Sequence, residues 1–506
     1  MKPDVEDPGI TEMTAITNQV IDSTYLENFI VQYIKDPNSA QLLRNFYIRR
    51  NYQFAWFNEE GLAEQTLLFW NLRNHYLQFY KDSSLLYKEL DDQINVLINR
   101  DIQSINLLND KRKTEIQLTQ NFFLYAKLVY SGRIEPEELS WFIPRKKIDV
   151  IALLDSLIGT KGNNQKKWEP INEQYSLLNN YLIKYAEIEK KGGWGILDKK
   201  KIYKKGNQDS SILDFKKQLF MLDYLNNIDS NIAYDKAMES AVKLAQHSFG
   251  FTENGIINTA LIEALNIPVK DRIEQILINM ERIRWLPDIT DKIILVANIP
   301  EFRLHIIENK KEISNMNIVV GKSATSTTIF TDMLTFIVFS PYWNVPESIT
   351  VTEILPGMKK NIHYLSSKNM EITGYSNGIP IIRQKPGGSN SLGHVKFLFP
   401  NSFNIYFHDT PSKSLFKKEK RAFSHGCIRL EKPFEFAQYL LRNDTAWTSE
   451  KIKIAMNSNK EKWVALKTPI PVVITYFTCW VDHYGMLNFR DDIYGHDAKM
   501  KDRLFQ

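Results

Sequence analysis

At 506 residues the chain is too long for one hydrophobic core and has room for about three domains. Hydrophobic residues at 43% and charged residues at 24% describe a folded chain and exclude a disordered or fibrous one. With 64 basic against 59 acidic residues the net charge is only +5, and no zinc knuckle, RNP-type motif or concentrated basic stripe accompanies it, which excludes nucleic acid as a partner.

In chain order, Met1–Ile10 is polar with two prolines and has no basic stretch followed by an apolar one, so residues 1–23 are expected to be a disordered or linker segment. Residues 24–210 read as a helical domain. Within it Leu118, Phe122, Tyr125, Ala126 and Val129 fall on one helical face, and Gly132 supplies a stop. Residues 211–286 read as a small helical module, with Ala237, Ala241, Leu244 and Ser248 marking one face ahead of a turn-rich Gly250–Gly255 loop. No apolar run approaches the roughly 18 residues of a membrane span.

From Asp291 the period changes to short β-rich runs, 292–298, 302–307, 317–320 and 334–339, which define a β-dominated domain over 287–497. Residues 355–400 are expected to be an insertion in it. The pair Asn377-Gly378 lies between Tyr375 and Ile379 and predicts a hairpin, because both turn positions require positive φ. So long a connection between two strands suits a lid over a site that excludes water. Residues 498–506 remain as a tail.

The chemistry concentrates in Ser424-His425-Gly426-Cys427-Ile428-Arg429-Leu430, preceded by His408-Asp409. A free cysteine is mostly protonated near neutral pH, so a nucleophilic Cys427 needs a base or a positive field beside it. His408, at the end of a strand, is the better base. His425 lies two residues from Cys427, on the same face of an extended segment, and stays open as an alternative. Gly426 lacks a Cβ, which lets substrate near the backbone and lets the Gly426 and Cys427 N–H groups face an oxyanion. Arg429 offers a planar fork to a substrate carboxylate, or a brace beneath the site. Two blander readings compete: Cys427 as a small buried hydrophobe, and a metal site of His408, His425 and Cys427, which lacks a paired C-x-x-C or H-E-x-x-H spacing. Only Cys427 and Cys479 are present; a disulfide between them would consume the nucleophile, and Cys479 is expected to be buried in the strand running through 472–480.

His408, fifteen residues and then Ser424-His425-Gly426-Cys427 with Arg429 resembles the signature of the YkuD-type L,D-transpeptidase catalytic domain. Ser340-Pro341-Tyr342-Trp343-Asn344-Val345-Pro346, Glu353-Ile354-Leu355-Pro356 and Gly393-His394-Val395-Lys396-Phe397 narrow it to the large YcbB-like subgroup. The resemblance implies a multi-domain α+β protein: helical scaffold, peptidoglycan-binding-like module, and a β-dominated catalytic domain with a capping insertion. It implies peptidoglycan tetrapeptide stems as donor and acceptor, 3→3 cross-links made through a Cys427 thioacyl-enzyme with loss of D-alanine, carbapenem-type β-lactams as inhibitors, and neither cofactor nor metal. Catalysis would fall to Cys427, His408, Gly426 and Asp409, whose carbonyl or carboxylate orients the imidazole. Arg429, His425, Ser424, Tyr342 and Trp343 would bind substrate. The implied location is the periplasm or cell envelope, with a leader or anchor expected to have been removed from the natural protein. Rival readings are an L,D-carboxypeptidase on the same fold, a wall-binding scaffold with a vestigial site, and a sortase-like transpeptidase, which lacks the close His-Gly-Cys arrangement.

Overall fold

Asp110 accepts the Arg112 and Lys113 N–H groups and so starts the helix Lys111–Ser131, which Gly132 ends at φ 89°. Its predicted face of Leu118, Phe122, Tyr125, Ala126 and Val129 is buried. Helices Pro37–Arg49, Glu64–Tyr80, Lys88–Ile98 and Val150–Gly159 pack on it. The computed structural model describes residues 17–80, 82–98, 110–163, 169, 172–199, 202–287 and 291–505. Among these no helix is long and apolar enough to cross a membrane.

Several expected boundaries move. Of the linker expected over 1–23, residues 1–16 lie outside the described residues. Residues 17–23 are packed instead: Ile21 is buried, Val20 bridges Gln53, and the Phe54 N–H donates to the Gln19 carbonyl. The boundary expected at 210/211 is not a gap between cores. One apolar cluster runs from Leu26 through Leu157, Leu219 and Ala245 to Ile283, because the module's helices bury their apolar faces against the scaffold. On the helix Lys236–Ser248 the expected Ala241 and Ser248 are buried, whereas Ala237 and Leu244 are exposed and Met238, Val242 and Ala245 complete the buried face.

A second core belongs to the β-domain. We label its strands β1 (Ile293–Asn298), β2 (Arg303–Glu308), β3 (Lys311–Gly321), β4 (Ile329–Phe339), β5 (Val395–Leu398), β6 (Phe407–His408), β7 (Ala422–Ser424), β8 (Ile428–Leu430) and β9 (Lys462–Thr475). They pair in the order β5-β6-β8-β3-β2-β1-β9-β4, and β4 pairs again with β5, so the ladder closes on itself and leaves no open edge along that path. β7 lies beside β3, outside the path.

The insertion is bounded differently from the expected 355–400. Trp343–Asn344 is already the third strand of a small sheet with Met370–Ser376 and Ile379–Gln384, so the insertion begins just after β4. It ends before Val395, because β5 is a member of the closed ring. Val345, Ile349, Ile354 and Ile382 give it a small core of its own. Its hairpin turns at Asn377 (φ 49°) and Gly378 (φ 78°), as predicted.

The C-terminal part also departs from expectation. The strand through 472–480 ends at Thr475; Cys479 is buried, but it opens a hairpin of Cys479–Val481 and Leu487–Phe489 that packs into the helical core. The expected tail 498–506 is a helix, His496–Leu504, with Met500 and Leu504 buried in the β-domain core; residue 506 lies outside the described residues. Helix Val269–Trp285 ties these parts together. Its buried Arg282 pairs with Asp497 at 2.6 Å and faces the rings of Trp141 and Tyr476, each centred 5.3 Å away. Replacing Arg282 by alanine leaves a buried carboxylate without its cation, and the expected loss is about 3–5 kcal/mol. Denaturant unfolding followed by near-UV circular dichroism measures it; a loss below about 1 kcal/mol would mean that the pair does not hold the C-terminal helix.

Candidate active site

The site is built by two short strands in parallel. Phe407 pairs with Ile428 and His408 with Arg429, and the Ile428 N–H donates to the Tyr406 carbonyl at 3.1 Å. Side chains alternate along a strand, and partners in register share a face. Phe407 and Ile428 are wholly buried in the β-domain core. Tyr406, His408, Cys427 and Arg429 are therefore turned together to the other face. Of the residues expected at the site, His408, Cys427 and Arg429 are thus brought together.

His408 is buried, and its Nδ1 hydrogen-bonds the backbone carbonyl of Asp409. A carbonyl only accepts, so the ring proton sits on Nδ1 and Nε2 carries the lone pair. The Asp409 carboxylate, left open as an alternative, does other work. It accepts from the His394 N–H at 2.9 Å and from Lys413 Nζ at 2.6 Å, tying the strand end to the neck where the insertion returns. Gly393 allows that approach, since a Cβ there would lie 2.3 Å from Asp409 Oδ2. Burial, and then the Arg429 cation, push the His408 imidazole down to about 3. It is a neutral base.

Cys427 is half-buried. Its sulfur lies 3.4 Å from the Asn404 carbonyl and hydrogen-bonds Tyr406; among the described residues no hydrogen bond joins it to His408. Burial pushes its thiol up, more than the Tyr406 hydrogen bonds and Arg429 push it down. The resting site thus holds a neutral thiol and a neutral imidazole, not a preformed ion pair. Arg429 makes no salt bridge among the described residues, and its buried Nε has no partner.

The loop before Cys427 is fastened by hydroxyls. The Ser424 Oγ donates to the Cys427 carbonyl at 2.6 Å and accepts the Gly426 N–H at 3.2 Å. Ser424, expected to bind substrate, is instead a buried brace. The Gly426 N–H, expected at an oxyanion, is thereby occupied; no acceptor among the described residues takes the Cys427 N–H, which leaves that donor for the role. Gly426 has φ 115°, a conformation that a side chain would strain, and this need replaces the predicted need for close approach. Thr327 Oγ1 donates to the Gly426 carbonyl at 2.8 Å and accepts the Gly321 N–H at 2.9 Å. Gly321 cannot be larger, because a Cβ would fall 2.1 Å from the Thr325 carbonyl. The Tyr494 hydroxyl binds the Gly321 carbonyl, which gives the C-terminal segment a part in holding the nucleophile loop.

Three remaining residues lie toward the insertion. His425 is exposed and pairs through Nε2 with Glu353 Oε1 at 3.1 Å, linking the nucleophile loop to the insertion. Tyr342 and Trp343, expected to line the pocket, are placed in the insertion: Arg383 stacks on Tyr342 at 4.2 Å, and Trp343 packs against the insertion's own core. Neither hydrogen-bonds nor stacks with Cys427, His408 or Arg429 among the described residues. Sequence reasoning missed Tyr406, although its position two before His408 in a strand is the signal that puts it on the same face. It also missed Thr327 and Tyr494, for which no local signal exists.

The neutral pair predicts a pH dependence. At neutral pH Cys427 reacts only with help from His408, whereas above the raised thiol range the thiolate forms unaided. Alkylation by iodoacetamide should therefore keep rising into alkaline pH, and His408→Ala should slow it at least about tenfold at neutral pH but little at high pH. Stopped-flow labelling read by intact mass checks this; equal slowing across the range would reduce His408 to a positional role.

Residues 292–472 match the L,D-transpeptidase catalytic domain model of the YkuD type, and residues 41–182 match a scaffold domain model. A curated relative from Haemophilus influenzae, described as a putative L,D-transpeptidase, is 29% identical over 242 residues, which are 45% of this chain and 49% of that protein. The chain thus spans about half the length of this relative. Among solved structures, an L,D-transpeptidase from Stackebrandtia nassauensis is 13% identical, with 54% of this chain and 94% of that one covered and a TM-score of 0.23. L,D-transpeptidase 3 from Mycobacterium tuberculosis, solved with a faropenem-derived adduct, is 13% identical, with 36% and 60% covered and a TM-score of 0.19. Likenesses at these scores are too slight to bear on the site.

Proposed function

We propose, from the premise that residues 292–472 are a YkuD-type L,D-transpeptidase catalytic domain, that this chain is a cysteine acyltransferase that cross-links peptidoglycan stems. The observation that carries the reading is the shared face of Cys427, His408, Tyr406 and Arg429, with the His408 tautomer fixed by the Asp409 carbonyl.

His408 Nε2 takes the thiol proton as Cys427 sulfur attacks the carbonyl of the third, L-centred residue of a donor tetrapeptide. The Cys427 N–H stabilises the oxyanion. Collapse breaks the amide bond, His408 returns its proton to the leaving nitrogen, and D-alanine departs, leaving a thioester. An amine on the third residue of a second stem then attacks the thioester carbonyl. Its proton passes through His408 to the thiol, which leaves, and a 3→3 cross-link remains. Because the Arg429 Nε has no partner among the described residues, its guanidinium is free to hold a substrate carboxylate.

The insertion serves as the lid. It leaves the ring after Phe339 and returns at Val395, one residue from Val338 and Lys396 in the row that pairs Lys396 with His408. It therefore rises beside the catalytic histidine, and Glu353 reaches the nucleophile loop through His425. Location in the periplasm or cell envelope and inhibition by carbapenem-type β-lactams, whose strained carbonyl would acylate Cys427, belong to the same proposal.

Incubation with purified tetrapeptide stems, with products sequenced by tandem mass spectrometry, tests the reaction. The expected product is a dimer joined between third residues, and Cys427→Ala should abolish it. Tripeptide without dimer would make water the acceptor and the enzyme an L,D-carboxypeptidase; no change in the stems would leave a wall-binding scaffold. Glu353→Ala together with His425→Ala should lower cross-linking several-fold while iodoacetamide labels Cys427 at least as fast, and unchanged cross-linking would remove the lid from the mechanism.

A further inference from the structure

Away from Cys427 lies a cleft of about 840 Å³ between three parts of the chain. Its walls are the outer face of β1–β3, the module loop Phe249–Glu253 with the hairpin Cys479–Phe489, and the segment Phe416–Arg421 that leads into β7. Three arginines converge on it from three different elements: Arg303 on β2, Arg421 just before β7, and Arg490 just after the hairpin.

None of the three forms a direct ion pair with a carboxylate among the described residues, although Glu301 attracts all three at longer range. Arg303 donates to the neutral amide of Asn315 at 2.7 Å. Arg421 donates to the carbonyls of Lys418 at 2.7 Å and Phe302 at 3.2 Å, and its buried Nε has no partner. Arg490 donates from Nη1 to the carbonyls of Ser248 and Phe489 and lies over the ring of Trp480, 4.9 Å from its centre. The direct hydrogen bonds of these guanidiniums thus go to neutral oxygens, which hold them in place and leave their forks free of a bidentate carboxylate.

The acids in the same cleft are already engaged. His305 binds Glu301 at 2.8 Å and Glu312 at 3.0 Å, His247 binds Asp482 and Glu253 at 3.0 Å each, and Asp491 pairs with Lys420 at 2.8 Å. Glu419 accepts from Thr252 at 3.3 Å. Burial, and then repulsion from Arg303, bring Arg421 down to about 10 against the opposing attraction of Glu431 and Glu301. The chain also makes room for the cluster, since a Cβ on Gly250 would lie 2.5 Å from Arg490 Nε.

We propose that this cleft is a second binding site, which takes an oxyanion-bearing polymer on Arg303, Arg421 and Arg490. Guanidinium forks match carboxylate and phosphate alike, and the aromatic floor of Trp480 and Phe302 suits the organic part of such a ligand. Arg421 lies six positions before Cys427, so the cleft and the nucleophile lie within about 20 Å along an extended chain. A stem peptide with free carboxylates, held here while another reacts at Cys427, is the source that rests on the proposed cross-linking activity; the oxyanion site itself does not depend on it.

The test uses the full chain carrying Cys427→Ala, so that binding is read without turnover. The probes are soluble peptidoglycan fragments with free stem carboxylates, the same fragments with those carboxylates amidated, and inorganic polyphosphate. Calorimetry should show binding of the free-carboxylate fragments that weakens with salt, and Arg303→Gln with Arg490→Gln should weaken it by about tenfold or more. Loss of binding on amidation assigns the stem carboxylate as the source, whereas arginine-dependent binding of polyphosphate alone assigns a phosphate polymer. Affinity unchanged by the two substitutions, for every probe that binds, overturns the proposal, as does no binding by any probe. In a separate chain that keeps Cys427 and carries Arg303→Gln with Arg490→Gln, alkylation of Cys427 should match that of the unaltered protein, which shows that the substitutions leave the catalytic domain folded.

Discussion

The parallel pairing of β6 with β8 is the constraint on which the active site depends. It amounts to two residue pairs, Phe407 with Ile428 and His408 with Arg429. Two pairs cannot hold themselves in water, and the fold surrounds them with support. β5 and β3 flank them within a closed ring, so neither strand has a free edge from which to slip. A one-residue slip of β8 would turn Cys427 and Arg429 into the core and Ile428 out of it. The burial of Phe407 and Ile428 opposes that slip, at roughly 1.5–3 kcal/mol for each side chain.

Support reaches the nucleophile from far along the chain. Ser424, Thr327, Gly321 and Tyr494 form a relay of hydrogen bonds from the C-terminal segment to the carbonyls on either side of the Gly426–Cys427 bond. The helix His496–Leu504 follows directly and is held by Asp497 on Arg282. The helical half therefore braces the C-terminal helix through this ion pair, through Lys501 on Glu274, and through Trp141–Phe142, which pairs with the start of β4. The electrostatics complement this rigidity. Burial keeps both the thiol and the imidazole neutral at rest, so charge develops only as substrate arrives, in a site where Arg429 is the adjacent cation.

Much of the catalytic half was legible because its signals are local. The residue types and spacing of His408, Cys427 and Arg429 marked one site, and the Asn377-Gly378 turn is dictated by the need for positive φ. What escaped depended on partners distant in sequence. Trp343 looks like a pocket residue until its pairing with Gln384 places it in the insertion's sheet. Ser424 looks like a substrate contact until its hydroxyl is seen to be spent on the Cys427 and Gly426 backbone. The helix His496–Leu504 is too polar overall to announce its burial, which rests on Met500 and Leu504 alone. In the N-terminal half the helical period was readable, but which helices share a core was not, because amphipathic stripes do not name their partners.

The account stands or falls on a covalent intermediate at one atom. Incubation of the protein with donor tetrapeptide in the absence of acceptor, quenching in acid, and intact-mass analysis followed by peptide mapping measures it directly. The account predicts an adduct equal to the donor less its terminal D-alanine, on the peptide containing Cys427 and labile to hydroxylamine as a thioester is. An unmodified Cys427 while the donor is consumed, or an adduct on any other residue, would contradict it.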